Sequence, residues 1–411
     1  MENKTLSLTL QFFLEKMEKK CPVEDERRQR AVDLDQDDEI FSFNRSVISG
    51  TTKFWTGFEA STIKDHFIAP MAKAHGSRNK GGVKLEDRVF WALAVLNSDL
   101  SASAIWRLRG GGLKPEKIGS KSATNNLLQR TVKQLVKVKK GIVRFPKDFM
   151  EWKAWCQNEV YKDCESCSGK LMMIIDGTPI RTFEPTEFQL RRKAWKNYKK
   201  TCCYGMFVLC APNGRITFAS PLFWGEITDK TSYDMCGVRE MLEEHFRGWD
   251  FDGLKPFIGG DKGYPTIKPP EGWGLMITAS GKNEFLERVE KEKEKQQKKS
   301  NNKRKRGKNG KETEKDGGST QTSAFLGQSP IEDLDLDQLQ DLLSDDSMIF
   351  ASDFAPSRGV VEQSICQLKR FRKLKEGRIR MTDSYEFINN LVQLAAICVN
   401  TKMEANCVMK W

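Results

Sequence analysis

Asp176, Asp261 and Glu362 are the side chains in this chain whose setting suggests chemistry. Asp176 follows the apolar run Leu171-Met172-Met173-Ile174-Ile175, Asp261 opens Asp-Lys-Gly-Tyr after a run into Ile258, and Glu362 closes Arg-Gly-Val-Val-Glu. Each acid alone has an ordinary reading as a turn residue, a helix cap or a solvated charge. Brought together they would repel one another unless divalent cations neutralised them. Mg²⁺ takes hard oxygen ligands and keeps water, so two or three carboxylates can seat a metal pair about 4 Å apart. Such a pair activates a water or hydroxyl for in-line attack on a phosphodiester. Histidine offers little competition, because His66, His75 and His245 are the only ones in 411 residues.

These acids meet only if the right elements carry them. Residues 171–175 read as a strand that ends at Asp176. Residues 201–211 and 215–223 read as two more, joined at Pro212-Asn213-Gly214, whose Asn-Gly pair signals a hairpin. A helix follows through Val238, Met241, Leu242 and His245. A fourth strand enters Ile258 and a fifth covers 273–278. Residues 358–373 have helical spacing with Val361, Ile365 and Leu368 inward. Asp383 with Glu386 makes a capping box for a last helix carrying Phe387, Leu391, Leu394 and Cys398. The pattern predicts a mixed, five-stranded α/β sheet flanked by helices. If its first and fourth strands are neighbours and the 358–373 helix packs at their ends, the three carboxylates converge.

Lys and Arg outnumber Asp and Glu by 68 to 56, for a net charge of +12, which favours an anionic partner, nucleic acid first. Residues 1–50 carry 8 basic and 11 acidic groups, 51–150 carry 19 and 7, and 151–286 balance at 18 each. The surplus therefore sits in 51–150, which reads as helical. Leu85, Val89, Leu93 and Leu96 share one face, Ser101 caps a helix through Leu108 that Gly110 to Gly112 would end, and a third helix after Ser122 buries Leu128, Val132 and Leu135. On another face Arg130, Lys133, Lys137 and Lys140 recur at i, i+3, i+7 and i+10, which suits a helix-turn-helix-like DNA-binding unit or else a solvated basic face. Arg191, Arg192, Lys193, Lys196, Lys199 and Lys200, interleaved with Trp195 and Tyr198, read as a loop along a DNA backbone near Asp176; the alternative is an exposed basic loop.

The domain reading is then an acidic, largely disordered 1–50 with a short helix at 6–17, a basic helical domain at 51–150, and a catalytic domain at 151–286 and 347–411. Residues 287–346 interrupt it as a low-complexity, disordered insertion. Within that insertion Lys303 to Arg306 read as a nuclear localisation signal, and 331–343, acidic with leucines, as a partner-docking helix or a shield for the basic tract. Cys164-x-x-Cys167 with Cys156 lacks the second ligand pair of a structural zinc site, so free thiols are expected. Eleven cysteines fall short of disulfide-scaffold density, no cleavable apolar run follows Met1, and no stretch approaches the ~20 apolar residues of a membrane span.

Taken in order, the motifs resemble the Harbinger group of DDE transposases. They are Ile-Ile-Asp-Gly-Thr at 174–178, Trp-Lys-Asn-Tyr-Lys-Lys-Thr at 195–201, Gly-Glu-Ile-Thr-Asp-Lys at 225–230, Gly-Asp-Lys-Gly-Tyr-Pro at 260–265, and Arg-Gly-Val-Val-Glu at 358–362 running into Leu-Lys-Arg-Phe at 368–371. The resemblance covers about 55–286 and 350–402. It implies an RNase H-like nuclease fold in which Asp176, Asp261 and Glu362 bind Mg²⁺ or Mn²⁺, two ions in all. It further implies cleavage at transposon terminal repeats, joining of the freed 3′ hydroxyl to target DNA, a homo-oligomer, a nuclear site of action and a separate Myb-like DNA-binding partner. Two departures stand out: 101 positions separate Asp261 from Glu362, much of it the insertion, and no cysteine/histidine module precedes the helical region. The alternative is a domesticated, non-catalytic DNA-binding or chromatin adaptor derived from such an enzyme.

The charge map predicts that reversing Arg130, Lys133, Lys137 and Lys140 weakens DNA binding more than deleting 287–346. An equal or opposite ranking at matched salt overturns it.

Overall fold

The structure, a computed structural model, describes residues 42–77, 83–109, 119–157, 163–197, 199–261, 267–278, 348–375 and 383–405, with a few single positions between them. The helix expected at 6–17, the Gly110 to Gly112 stop, the localisation tract at 303–306 and the acidic stretch at 331–343 lie outside the described residues. The chain forms two compact units, Met1–Val95 with Leu100–Thr131, and Leu96–Asp99 with Val132–Trp411.

Helices dominate the first unit. After the short Phe43–Ile48, Thr52–Thr56 and Ala69–His75 come α1 (Leu85–Ser98), α2 (Ala102–Leu108) and the opening turns of α3 (Lys121–Lys139). Leu85, Val89 and Leu93 are buried as their spacing predicts, but so are Phe90, Trp91, Ala92 and Ala94. A helix buried all round is a core element, so α1 is the centre of this unit and carries no wet face. Ser101 caps α2 as expected, its hydroxyl accepting from the Ala104 amide at 3.1 Å.

The second unit opens with α4 (Phe149–Cys156), followed by β1 (Lys170–Arg181), α5 (Phe188–Ala194), β2 (Trp195–Lys196), β3 (Thr201–Cys210), β4 (Ile216–Ala219) and β5 (Phe223–Trp224). Next come α6 (Asp229–Met235), α7 (Val238–His245), β6 (Lys255–Gly260), β7 (Gly274–Thr278), β8 (Met348–Ala351), α8 (Phe354–Lys369) and α9 (Tyr385–Glu404). They build a mixed α/β sheet in the order β2-β3-β1-β6-β7-β8, with β4 and β5 also paired to β3. The five expected strands are β1, β3, β4, β6 and β7. Three further strands bring the sheet to eight among the described residues; β2 and β5 are two residues each, too short for any alternation to reveal them. At the β3–β4 hairpin Gly214 takes φ +83°, the left-handed turn conformation that glycine adopts without strain.

β1 is the central strand, and alternation divides its side chains between two layers. Leu171, Met173 and Ile175 enter a core with Trp152, Phe207, Leu242, Phe246 and Ile258. Trp152 anchors that core, donating its indole N–H to the Met172 carbonyl at 3.2 Å and stacking near Phe246 at 4.6 Å. Met172, Ile174 and Asp176 fall on the opposite face, where α8 packs. Gly259 permits the close approach of α8, since a Cβ there would lie 2.3 Å from Phe354 Cζ. Val361, Ile365 and Leu368 are inward, as expected.

One helix closes the free edge of β4. Asn389, Gln393 and Asn400 stand at i, i+4 and i+11 on α9, so one stripe of amides meets β4 and the turn after it. Asn400 accepts from the Ile216 amide at 3.0 Å and donates to its carbonyl at 2.8 Å; Gln393 donates to Ala219 and Ser220, and Asn389 accepts from Leu222. This satisfies strand-edge groups that burial would otherwise leave unpaired. The cap of α9 differs from expectation: Ser384 is the N-cap and accepts from the Phe387 amide, whereas the sequence had suggested Asp383 with Glu386.

Candidate active site

Asp176 does not end its strand, as the apolar run had suggested. β1 continues through Gly177 to Arg181 because β3 keeps pairing with it, Asp176 opposite Val208 and Arg181 opposite Cys203. The other edge behaves differently. β6 runs parallel to β1 only as far as Ile174 opposite Gly259. Two residues further along each chain stand Asp176 and Asp261, level with each other where the parallel pairing has stopped. Asp176 therefore sits at an opened strand edge inside the sheet, and Asp261 in the turn just beyond β6, where its carboxylate accepts from the Gly263 amide at 2.8 Å.

Glu362 comes from α8. Arg358 lies one turn before it, and Arg358 Nη1 stands 3.8 Å from Asp176 Oδ1 while the guanidinium also donates to Glu362. One arginine thus links the acid of the strand to the acid of the helix. Asp176, Asp261 and Glu362 line one open cleft of about 590 Å³, together with Asp229, Arg358, Arg181, Lys199, Lys369 and Lys375. The convergence expected from strand order is present.

The electrostatics follow from that placement. The Asp176 side chain is 17% exposed, and burial pushes its pKa up to about 7 from 3.8. Arg358 opposes the rise, while Asp261 and Glu362 add to it. A carboxyl so placed gains from any cation that enters the cleft. Three carboxylates are hard oxygen donors suited to Mg²⁺ or Mn²⁺, so the donor set fits such an ion. Among the described residues no three Asp, Glu, His or Cys side chains are grouped as a ready metal cage; Arg358 occupies the place between Asp176 and Glu362 and would have to yield it.

Asp229 is a fourth acid of the cleft that the sequence reading does not nominate, as it does not nominate the cleft cations Arg181, Arg358, Lys369 and Lys375. It begins α6, which Thr228 caps, and its carboxylate lies against Gly177 so closely that a Cβ there would be 2.7 Å from Asp229 Cγ. Behind it Lys196 Nζ reaches Asp229 Oδ1 at 3.4 Å and the Ile227 carbonyl at 3.5 Å. The sequence places Lys196 along a DNA backbone near Asp176, with an exposed basic loop as the alternative. It is instead a buried lysine, 7% exposed and paired with Asp229, on β2 at the edge of the sheet beside β3. The Gly-Glu-Ile-Thr-Asp-Lys motif was the available signal, though spacing alone gives no reason to join its acid to Asp176.

The remaining basic positions are on the surface. Arg191 and Arg192 are exposed on the seven-residue α5, Lys199 and Lys200 are exposed in the turn before β3, and Tyr198 lies outside the described residues. Arg130, Lys133, Lys137 and Lys140 are all exposed, and Lys133 pairs with Glu386 at 2.7 Å. Cys164 and Cys167 are buried free thiols, and Cys167 Sγ lies 3.9 Å from Met276 Sδ. Among the described residues no helix is long and apolar enough to cross a membrane.

Residues 175–308 match a family model described as DDE superfamily endonuclease. The matched segment begins one residue before Asp176, contains Asp229 and Asp261, and supports an endonuclease of DDE transposase type. No curated protein and no solved structure matches the chain.

Because the folded-state pKa of Asp176 is raised, the folded chain binds more protons than the unfolded one between about pH 3.8 and 7, and stability falls as pH rises through that window. The charged form costs the fold on the order of 4 kcal/mol above it. In EDTA, Asp176→Asn should melt above wild type at about pH 8 and lose that advantage at about pH 4. Equal melting differences at both pH values contradict the assignment.

Proposed function

We propose that this chain is a metal-dependent DNA nuclease and strand transferase of the Harbinger type. It would cut at transposon terminal repeats and join the freed 3′ hydroxyl to target DNA. The carrying observation is that Asp176, Asp261 and Glu362, from a strand, the turn after its parallel neighbour and a helix packed on that face, line one cleft. The match of residues 175–308 supports the endonuclease class; the Harbinger subtype rests on the ordered motifs.

In this reading Asp176, Asp261 and Glu362 would hold Mg²⁺ or Mn²⁺, two ions in all. Bound there, the ions would neutralise charge at the scissile phosphate and make a water or 3′ hydroxyl nucleophilic. The chain's own residues set the conditions. Arg358 holds Asp176 and Glu362 apart in charge until a cation takes its place. Asp229, fixed by Lys196, keeps the backbone at Gly177 from shifting behind Asp176. No side chain needs to form a covalent intermediate, since the nucleophile belongs to water or DNA.

DNA would be held by Arg130, Lys133 and Lys137 on α3, by Lys140 just beyond its end, by Lys199 in the cleft, and by Arg191, Arg192 and Lys200. Lys196 is withdrawn from that set. A nuclear site of action, homo-oligomers and a Myb-like partner complete the proposal by resemblance. A second reading, the domesticated non-catalytic adaptor, is favoured by one observation: Arg358 already serves as the cation between two of the acids.

The test is cleavage of DNA carrying the element's own terminal repeats, with Mg²⁺ or Mn²⁺. Wild type should cut, and Asp176→Ala, Asp261→Ala and Glu362→Ala should each lose on the order of 10³-fold or more in rate, as expected when a charge-stabilising group is removed. Wild type that cuts nothing, or Asp176→Ala that cuts normally, sinks the nuclease and leaves the adaptor.

A further inference from the structure

The start of the first unit is built with its polarity reversed. Its first two helices, Phe43–Ile48 and Thr52–Thr56, turn the side chains of Ser46, Thr52 and Thr56 inward and leave Val47, Ile48 and Phe54 in solvent. A helix on a water-facing surface has the opposite arrangement. Ile48 is 55% exposed and Phe54 41%, and with Val47 they are the exposed large apolar side chains among the described residues of this unit. Local bonds fix that orientation. The Phe43 amide donates to Asp87 Oδ1 at 2.7 Å, and the Phe43 ring packs near Phe90 of α1 with centroids 6.3 Å apart. Ser46 and Thr52 share a hydroxyl hydrogen bond of 3.0 Å, and Thr56 donates to the Thr52 carbonyl at 2.7 Å. Turning either helix to hide its apolar residues would leave buried hydroxyls unpaired, which is costly.

Cover for this patch must therefore come from outside the two helices. Single exposed apolar residues are ordinary, whereas a group of them over a polar inward face marks a contact surface. The chain supplies a matching stripe. Leu6, Leu10, Phe13 and Met17 stand at i, i+4, i+7 and i+11 of the helix expected at 6–17, the spacing of a helix that beds into an apolar surface. Residues 18–41 alone separate Met17 from Ser42, and a coil of that length has a root-mean-square span of about 27 Å. Such a tether sets an effective concentration on the order of millimolar. A second copy lacks that advantage, and three side chains fall short of the roughly 800 Å² per partner that a stable interface between separate chains buries.

We propose that Val47, Ile48 and Phe54 form the docking surface for the helix at 6–17 of the same chain, which meets them with Leu6, Leu10, Phe13 and Met17. The contact is apolar, so it gains from removing both surfaces from water and does not depend on charge. It fastens the N-terminal arm to the helical unit, and it stands whether or not the cleft is a nuclease.

The test is photo-crosslinking in the full-length chain, with p-benzoylphenylalanine replacing Phe54. Irradiation should join position 54 to residues 6–17, in a product that runs as a monomer on a denaturing gel and whose linked peptides mass spectrometry identifies. Leu10→Asp with Phe13→Asp should lower that yield at least tenfold. Gln11→Asp, on the far side of the stripe, should leave it unchanged. The same probe at Lys121, exposed in the same unit, should give no such product. If the Phe54 variant does not fold, the probe at Ile48 decides. Products at dimer mobility would assign the patch to a second copy and overturn the proposal. A yield that survives the double substitution, or the absence of any link to 6–17, overturns it as well.

Discussion

The site depends on where one strand loses a neighbour. β1 is held by β3 along most of its length, but β6 leaves it after Ile174. If β6 continued, Asp176 would face a filled sheet and its charge would have no outlet. If β3 also stopped there, the strand would end, Asp176 would be an exposed turn residue, and burial would not act on it. One edge held and the other open gives a carboxylate that is rigid, largely buried and still able to meet a solute. Its raised pKa follows from that balance more than from either neighbouring acid, burial being the larger cause.

The other parts of the second unit serve this opening. Gly259 lets the start of α8 press onto the sheet, which sets the phase of the helix and so which side chains face the cleft. Arg358, Glu362 and Lys369 share that phase. On the reverse side of β1, the Lys196–Asp229 pair abuts Gly177, where a side chain would have to displace the Asp229 carboxylate. Core packing around Trp152 and Phe246 supports the odd-numbered residues of β1 without contributing to the chemistry. An apolar core packed behind β1 and charged groups gathered at its open end give the site a rigid scaffold, as preorganisation requires.

Much of this was legible in the residues. Unbroken apolar runs marked β1, β3 and β6, the Asn-Gly turn marked the hairpin, and helical spacing marked the inward side of α8. The three acids could be nominated because each followed or occupied a recognisable element. What the sequence did not carry was pairing. Nothing in 170–181 tells that β3 continues past Asp176 while β6 does not, so the apolar run alone predicts a strand that stops too early. The same gap hid Asp229 and misplaced Lys196, since a lysine among lysines reads as exposed unless the strand that buries it is known. On α1 the Leu85, Val89, Leu93 and Leu96 spacing predicts one apolar face, whereas its other sides are covered by groups elsewhere in the chain, Phe43 against Phe90 and Arg109 over Trp91.

The central claim is that Asp176, Asp261 and Glu362 act as one cation-binding unit at this opened edge. Its most direct test is binding of Mn²⁺ to the full-length chain without DNA, followed by the loss of the free-ion signal in electron paramagnetic resonance. Wild type is expected to bind Mn²⁺ and Asp176→Asn, Asp261→Asn and Glu362→Gln each to weaken that binding at least tenfold, while Arg358→Gln, which frees two of the acids, strengthens it. Binding that is absent in wild type, or that survives all three acid substitutions unchanged, would contradict the account.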